Sequence, residues 1–187
     1  FCMSSAAAAG TAAFGVDRGL PFPVTDLAEA EAILLAGANP AETMPPLVRH
    51  LSRAGALIVI DPRQTPTARR ATLHLRPMPG TDLALALGML HIAVTEGWYD
   101  KDAVQHRTTG FEAAWRRAAA WWPERVERVT GVPEAHQREA VRTLAGARRA
   151  YVLTGRGAEQ HSKGTDTVAA FVNLALALGL PGRPGAG

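Results

Sequence analysis

Four short stretches of this sequence concentrate side chains able to do chemistry, and a single cysteine stands apart from them. Gly37-Ala38-Asn39 joins a residue that lets backbone approach a ligand closely to an amide that can bond a phosphate or ribose oxygen. The helix start that follows offers free N–H groups to an anion. Asp61-Pro62-Arg63 supplies a carboxylate able to accept two hydrogen bonds, from a ribose diol or from N1 and N2 of guanine. Its neighbour Arg63 can pair bidentately with a phosphate. Gly80-Thr81-Asp82 places a second carboxylate at a helix start. The run from Gly155 to Lys163 is the densest polar stretch, a mixture of donors that suits a polyanionic, hydrogen-bonding cofactor. It contains G-x-G but has Gln160 where the nicotinamide fingerprint has its third glycine.

Each stretch also has an ordinary reading. Gly37-Ala38-Asn39 serves as a plain turn, and Asp61-Pro62 is a common way to end a strand. Asp82 favours the helix dipole whether or not it binds anything, and a polar loop is usually just solvated. Cys2 as the one cysteine excludes an internal disulfide and fits a reducing compartment. A lone cysteine is more often inert than reactive, and metal sites usually cluster their ligands. The six histidines are scattered, with no H-x-x-x-H and no C-x-x-C.

Apolar runs alternating with helical patterns must position these stretches. Ser4 or Ser5 can cap a helix through Phe14, and residues 16–24 read as loop. Strands are expected at 33–36, 56–60, 72–75 and 150–153, the first and second ended by Gly37 to Pro40 and by Asp61-Pro62. Helices are expected at 45–53, at 81–96 capped by Thr81, and at 165–178. Between them, residues 100–147 read as helices only: 102–107, 111–121, 124–129 and 133–147. Trp115, Trp121 and Trp122 are expected to anchor that layer to the sheet. The fold class is therefore α/β: a Rossmann-like parallel sheet with helices on both faces and an all-helical insertion around 100–147. Ligands of such sheets bind beyond the carboxyl ends of the strands, which selects the loops at 37–45, 61–70 and 154–163.

Composition sets the outer bounds. The chain has 187 residues, 47% hydrophobic and 20% charged, enough to bury a core. That composition excludes a disordered chain and a disulfide scaffold, and no apolar run is long enough to span a membrane. The net charge of +3 is too small to imply nucleic acid. The arginines at 116, 117, 125, 128, 138, 142, 148 and 149 are interleaved with glutamates and read as a solvated helical surface. The first residue is Phe1 and the last six form a turn-like Gly/Pro run, so 1–187 is expected to be a single α/β domain cut from a larger multidomain enzyme.

Read together, the stretches fall in a recognisable order. Cys2-Met3-Ser4-Ser5-Ala6 is followed by Gly37-Ala38-Asn39-Pro40-Ala41-Glu42, then Asp61-Pro62-Arg63-Gln64-Thr65-Pro66-Thr67-Ala68, then Pro79-Gly80-Thr81-Asp82. Trp98-Tyr99-Asp100, Thr130-Gly131-Val132-Pro133, Gly155 to Gly164, and Leu178-Gly179-Leu180-Pro181-Gly182-Arg183 complete the set. Over essentially the whole chain this resembles the molybdopterin-dependent oxidoreductases, which include nitrate reductases and formate dehydrogenases. Formate dehydrogenases typically have His after the cysteine. Met3 in that place and the Glu159 to Gly164 run resemble the bacterial assimilatory nitrate reductases.

The resemblance implies that Cys2 ligates molybdenum carried on two molybdopterin guanine dinucleotides, with Met3 beside it at the catalytic centre. A soft thiolate suits a metal already held by dithiolene sulfurs. It places Asn39 by a diphosphate or ribose, Asp61 and Asp82 on ribose and guanine, and Gly155, Arg156, Gln160 and His161 along the pterin and its funnel. Gly37, Glu42, Arg63 and Gly157 complete the expected cofactor-binding set. An iron–sulfur cluster is implied in a region preceding this segment. The implied function is cytoplasmic reduction of nitrate, or a similar small oxyanion, to nitrite in nitrate assimilation. Electrons come from a donor protein or domain, and neither nucleic acid nor membrane is a partner. The segment alone is expected to fold without turning over. The alternatives are a formate dehydrogenase-like enzyme on the same scaffold and a non-catalytic binding module that uses the arginine-rich helices.

Overall fold

The computed structural model describes residues 2–17 and 22–187. Of the loop expected over 16–24, residues 18–21 lie outside the described residues.

Four parallel strands form the sheet: β1 (Ala32–Ala36), β2 (Ala56–Ile60), β3 (Leu73–Leu75) and β4 (Ala150–Thr154), in the order β3-β2-β1-β4. β1 is central and buried at all five positions, as its unbroken apolar sequence requires of a strand covered on both faces. Ala36 lies opposite Ile60 on one side and Thr154 on the other, so the strands end level with one another. Alternation divides the side chains between two cores. Leu34, Ile58, Ile60 and Leu75 face one layer, while Ile33, Leu35, Leu57, Val59, Tyr151 and Leu153 face the other.

The first layer is built from α4 (Asp82–Thr95), α8 (Glu134–Gly146) and α10 (Gly164–Ala177), with α5 (Lys101–Arg107), α6 (Phe111–Ala118) and α7 (Pro123–Thr130) around them. α4 is apolar on every side because it is sandwiched between sheet and outer helices. It approaches α7 so closely that a Cβ on Gly88 would stand 2.5 Å from Val126 Cγ2. The second layer is thinner: a 3₁₀ helix (Val24–Glu29) and α3 (Pro45–Leu51), preceded by the short α2 (Pro40–Thr43). α1 (Ser4–Phe14) lies on α10.

The expected elements are present, with local differences. Met3, not a serine, occupies the cap position of α1, and no side chain caps it. Thr81 precedes α4, but its hydroxyl donates to the Met78 carbonyl and accepts from no N–H of the helix. Of the three tryptophans, Trp121 packs on the core shared with the sheet. Trp115 instead joins a helix–helix cluster around Leu90, and Trp122 is exposed beside Arg125, which stacks on both Trp121 and Trp122. A guanidinium shared by two rings holds these side chains at the surface.

Candidate cofactor site

β1 leads on one side to β2 and β3, and β4 lies on its other side, so chain direction across the sheet reverses between β1 and β4. Loops diverging at such a point usually leave a crevice. Here the two loops touch through backbone. The N–H of Gly157 donates to the Gly37 carbonyl at 2.8 Å, and Gly155 donates to Ala36 at 2.8 Å. Gly37 adopts φ +65°, and a Cβ there would stand 2.2 Å from the Ala158 nitrogen. A Cβ on Gly157 would stand 2.8 Å from the Gly37 carbonyl oxygen, and one on Gly155 would meet Ala38 at 2.6 Å. The three expected glycines therefore make the two loops fit each other.

A second tie joins the loops after β1 and β2. The Thr67 hydroxyl donates to Asn39 Oδ1 at 2.7 Å and accepts from the Ala41 N–H at 3.0 Å. Asn39 Nδ2 donates to Glu42 Oε2 at 2.6 Å, and the Asn39 carbonyl accepts from the N–H groups of Glu42 and Thr43. Asn39 and Glu42 thus meet, and the Asn39 side chain is spent largely on the protein itself. Thr67 is buried, and sequence reasoning missed it. Its only signal was its place three residues beyond Gln64 in the Asp61 motif.

Asp61 and Asp82 end β2 and begin α4, and both are buried. Asp61 Oδ1 accepts from the Arg63 N–H at 2.8 Å, an Asx turn that leaves the Arg63 side chain exposed. The His74 imidazole bonds the Asp61 carbonyl at 2.8 Å. Burial pushes the Asp82 carboxyl above its ordinary value, its own N–H and the charge of His161 pull the other way, and Asp61 adds to the rise. Asp61 and Asp82 thus form an acidic pair at this rim, with the exposed His161 as the opposing charge to Asp82.

At the same rim the short α9 (Arg156–Glu159) turns within what the sequence suggests is a solvated loop. Arg156 Nε donates to Cys2 Sγ at 3.0 Å, and Gln160 Nε2 donates to the Cys2 carbonyl at 3.3 Å, with Sγ at 3.5 Å. Met3 beside it is 49% exposed. Underneath, Glu159 is buried. Its Oε1 accepts from the Thr154 hydroxyl at 2.8 Å, and Oε2 is buried without a partner. Gly164 closes the corner where α1, α9 and α10 meet: a Cβ would stand 1.8 Å from the Glu159 carbonyl oxygen and 2.8 Å from Ser5 Oγ. Glu159 and Gly164 were visible only as members of the polar run. Burial is what distinguishes them.

Two other motifs lie away from this rim and pair with each other. Asp100 Oδ1 caps α5 by accepting from the Ala103 N–H at 2.9 Å, and Oδ2 accepts from Arg183 at 3.1 Å. The Asp100 N–H donates to the Ala177 carbonyl, at the far end of α10, about 20 Å along the helix from Gly164. The Thr130 hydroxyl turns the chain out of α7 by donating to Val126 and accepting from Val132.

Residues 1–187 match the family model for molybdopterin oxidoreductase. The chain belongs to the molybdopterin oxidoreductase family. It is 38% identical over 190 residues to an assimilatory nitrate reductase catalytic subunit of Bacillus subtilis, covering 100% of this chain and 27% of that protein. Formate dehydrogenase H of Escherichia coli is 36% identical over 168 residues, 88% of this chain and 24% of that protein. A nitrate reductase of Shewanella frigidimarina is 34% identical over 193 residues, covering 100% and 20%. Acetylene hydratase from Pelobacter acetylenicus shares the fold, with a TM-score of 0.75 at 24% identity over 87% of this chain and 25% of that one. The chain thus spans about a quarter of the curated relatives it matches. For a molybdopterin oxidoreductase the rim has a clear meaning, because the family carries a molybdenum–pterin cofactor.

The residues present fit such a group. Among the described residues no cluster of three or more His, Cys, Asp or Glu side chains could hold a metal alone. Cys2 offers one exposed soft thiol, a donor suited to a metal whose other ligands are dithiolene sulfurs. Glu159 Oε2 is a buried acceptor without a donor, and the Asp61 and Asp82 carboxylates, partly satisfied by the Arg63 N–H and the Asp82 N–H, keep acceptor capacity suited to the amino and hydroxyl groups of a pterin nucleotide. No helix among the described residues is long and apolar enough to cross a membrane.

Proposed function

We propose that residues 1–187 form the cysteine-bearing cofactor domain of a larger cytoplasmic nitrate reductase. The domain holds one guanine dinucleotide of a bis-molybdopterin guanine dinucleotide centre. An iron–sulfur cluster elsewhere in the enzyme receives electrons from a donor protein or domain. The observation that carries this reading is the convergence on one rim of Cys2 Sγ, the Arg156–Gln160 turn and the Asp61–Asp82 pair. Cys2 binds the metal through Sγ. Asp82 and Asp61 accept from the guanine and ribose donors. Gly37, Gly155 and Gly157 keep the backbone floor narrow, Asn39 and Glu42 brace the loop by the diphosphate, Arg63 supplies positive charge to it, and Arg156, Gln160 and His161 line the pterin and its funnel. When bound, the cofactor supplies the two-electron step in which nitrate, two electrons and two protons become nitrite and water.

Nitrate is favoured over formate by Met3. A thioether carries no proton, and formate oxidation must dispose of one whereas nitrate reduction consumes protons from solvent. The whole-length match to an assimilatory nitrate reductase supports the same choice. The formate reading draws on the 36% match to formate dehydrogenase H. A basic nucleic-acid-binding face is opposed by pairing: Arg138 bridges Glu96 and Glu134, Arg149 meets Glu29, and Arg117 lies near Asp166. A viologen-dye substrate panel on the complete enzyme tests the assignment, with Cys2→Ser as control. Nitrate reduction lost in Cys2→Ser is expected. Formate oxidation without nitrate reduction in the parent enzyme overturns the choice of substrate.

A further inference from the structure

The turn that carries Arg156 and Gln160 is built to hold a sulfur atom. Four facts meet there. Arg156 donates through Nε at 3.0 Å, the guanidinium nitrogen whose direction is fixed by the side chain's own bend. Gln160, one helical turn on, grips both the sulfur and the carbonyl of the same cysteine, so the residue is held at two points. The turn itself is fixed from below: Ala158 and Glu159 are buried, Gly157 is bonded to Gly37, and Gly164 packs on the Glu159 carbonyl with no room for a Cβ. α1 lies against α10 and meets Gly164 through Ser5, so the turn and the front of α1 share one corner.

We propose that Arg156 is a positioning residue for the Cys2 thiolate, with Gln160 as its partner, and that its charge tunes the metal the sulfur binds. The inference rests on the assignment of Cys2 as the molybdenum ligand. Hydrogen bonds to a metal-bound sulfur draw electron density from it and favour the reduced metal. A guanidinium adds a full positive charge in the same direction. Removing it lowers the midpoint potential of the molybdenum couple and leaves the sulfur with more than one orientation. The substrate does not enter into this argument, so the effect falls on kcat and leaves KM for nitrate nearly unchanged.

The test is a redox titration of the complete, cofactor-loaded enzyme, following the Mo(V) electron paramagnetic resonance signal in Arg156→Gln, Arg156→Lys and Cys2→Ser. Arg156→Gln is expected to retain molybdenum, shift the couple to lower potential, change the Mo(V) signal and lower kcat about 10–100-fold. Arg156→Lys keeps the charge but not the planar Nε–H. It is expected to recover most of the potential while the signal stays broadened. Should Arg156→Gln fail to load cofactor, Arg156→Lys decides alone: a signal identical to the parent's overturns the proposal. Parent-like signal and potential in Arg156→Gln, with both altered in Cys2→Ser, also overturn it and leave the metal-ligand assignment standing. If Cys2→Ser itself keeps the parent signal and molybdenum content, the assignment of Cys2 fails, and the proposal with it.

Discussion

The hydroxyl of Thr67 joins two loops that leave neighbouring strands, donating to Asn39 Oδ1 at 2.7 Å while accepting from the Ala41 N–H at 3.0 Å. Thr67→Val keeps the shape and removes both bonds, leaving an amide oxygen and an N–H unpaired in a partly buried place. A loss of about 1–3 kcal/mol is expected, read from the denaturant midpoint of the cofactor-free protein at unchanged m-value.

Gly37 is required twice, by its left-handed backbone and by the 2.2 Å approach to Ala158. Gly37→Ala therefore combines backbone strain with overpacking, and about 2–5 kcal/mol of destabilisation follows. The strand cores are untouched. The loss should therefore appear as early proteolytic cleavage within 154–163, ahead of global unfolding.

Asp82 links stability to pH in the direction opposite to a salt-bridged carboxylate. Unfolded, it ionises near 3.8; folded, burial raises that value. The unfolded chain therefore loses its proton first as pH rises. Stability is full below the unfolded value and declines as pH climbs through the folded one. Asp82→Asn removes the penalty. Cofactor-free protein should melt about 1–3 °C higher at pH 7, with the difference vanishing toward pH 3.8. On the proposed reading, complete enzyme carrying the same change should release its pterin cofactor more readily in dialysis.

Asp100 provides a contrast far from the rim. Asp100→Ala removes the α5 cap and the Arg183 contact, at a cost of about 1–2 kcal/mol. The Mo(V) signal of the complete enzyme should not change. A changed signal would show that the far end of α10 communicates with the cofactor.

Much of this was legible before any coordinates. Parallel strands buried on both faces leave apolar runs such as Ile33 to Ala36 and Leu57 to Ile60, and glycine or Asp-Pro marks where they stop. The order of motifs was enough to identify the family. What the motifs could not reveal was the use of each residue. Asn39 reads as a ligand amide yet serves mainly Thr67 and Glu42, because a partner 28 positions away leaves no local pattern. Asp100 and Arg183 stand in the sequence only as members of two motifs of the ordered set, and in the fold they form a structural clasp, 83 positions apart. Glu159 looks like one more solvated charge, and only three-dimensional packing shows it buried.

α1 leans chiefly on α10 and shares almost none of the sheet's interior. Its amide protons should therefore exchange with solvent as a block, well before those of β1, in protein lacking cofactor. Exchange at Cys2 and Met3 then reports how firmly the turn of Arg156 and Gln160 holds the front of that helix.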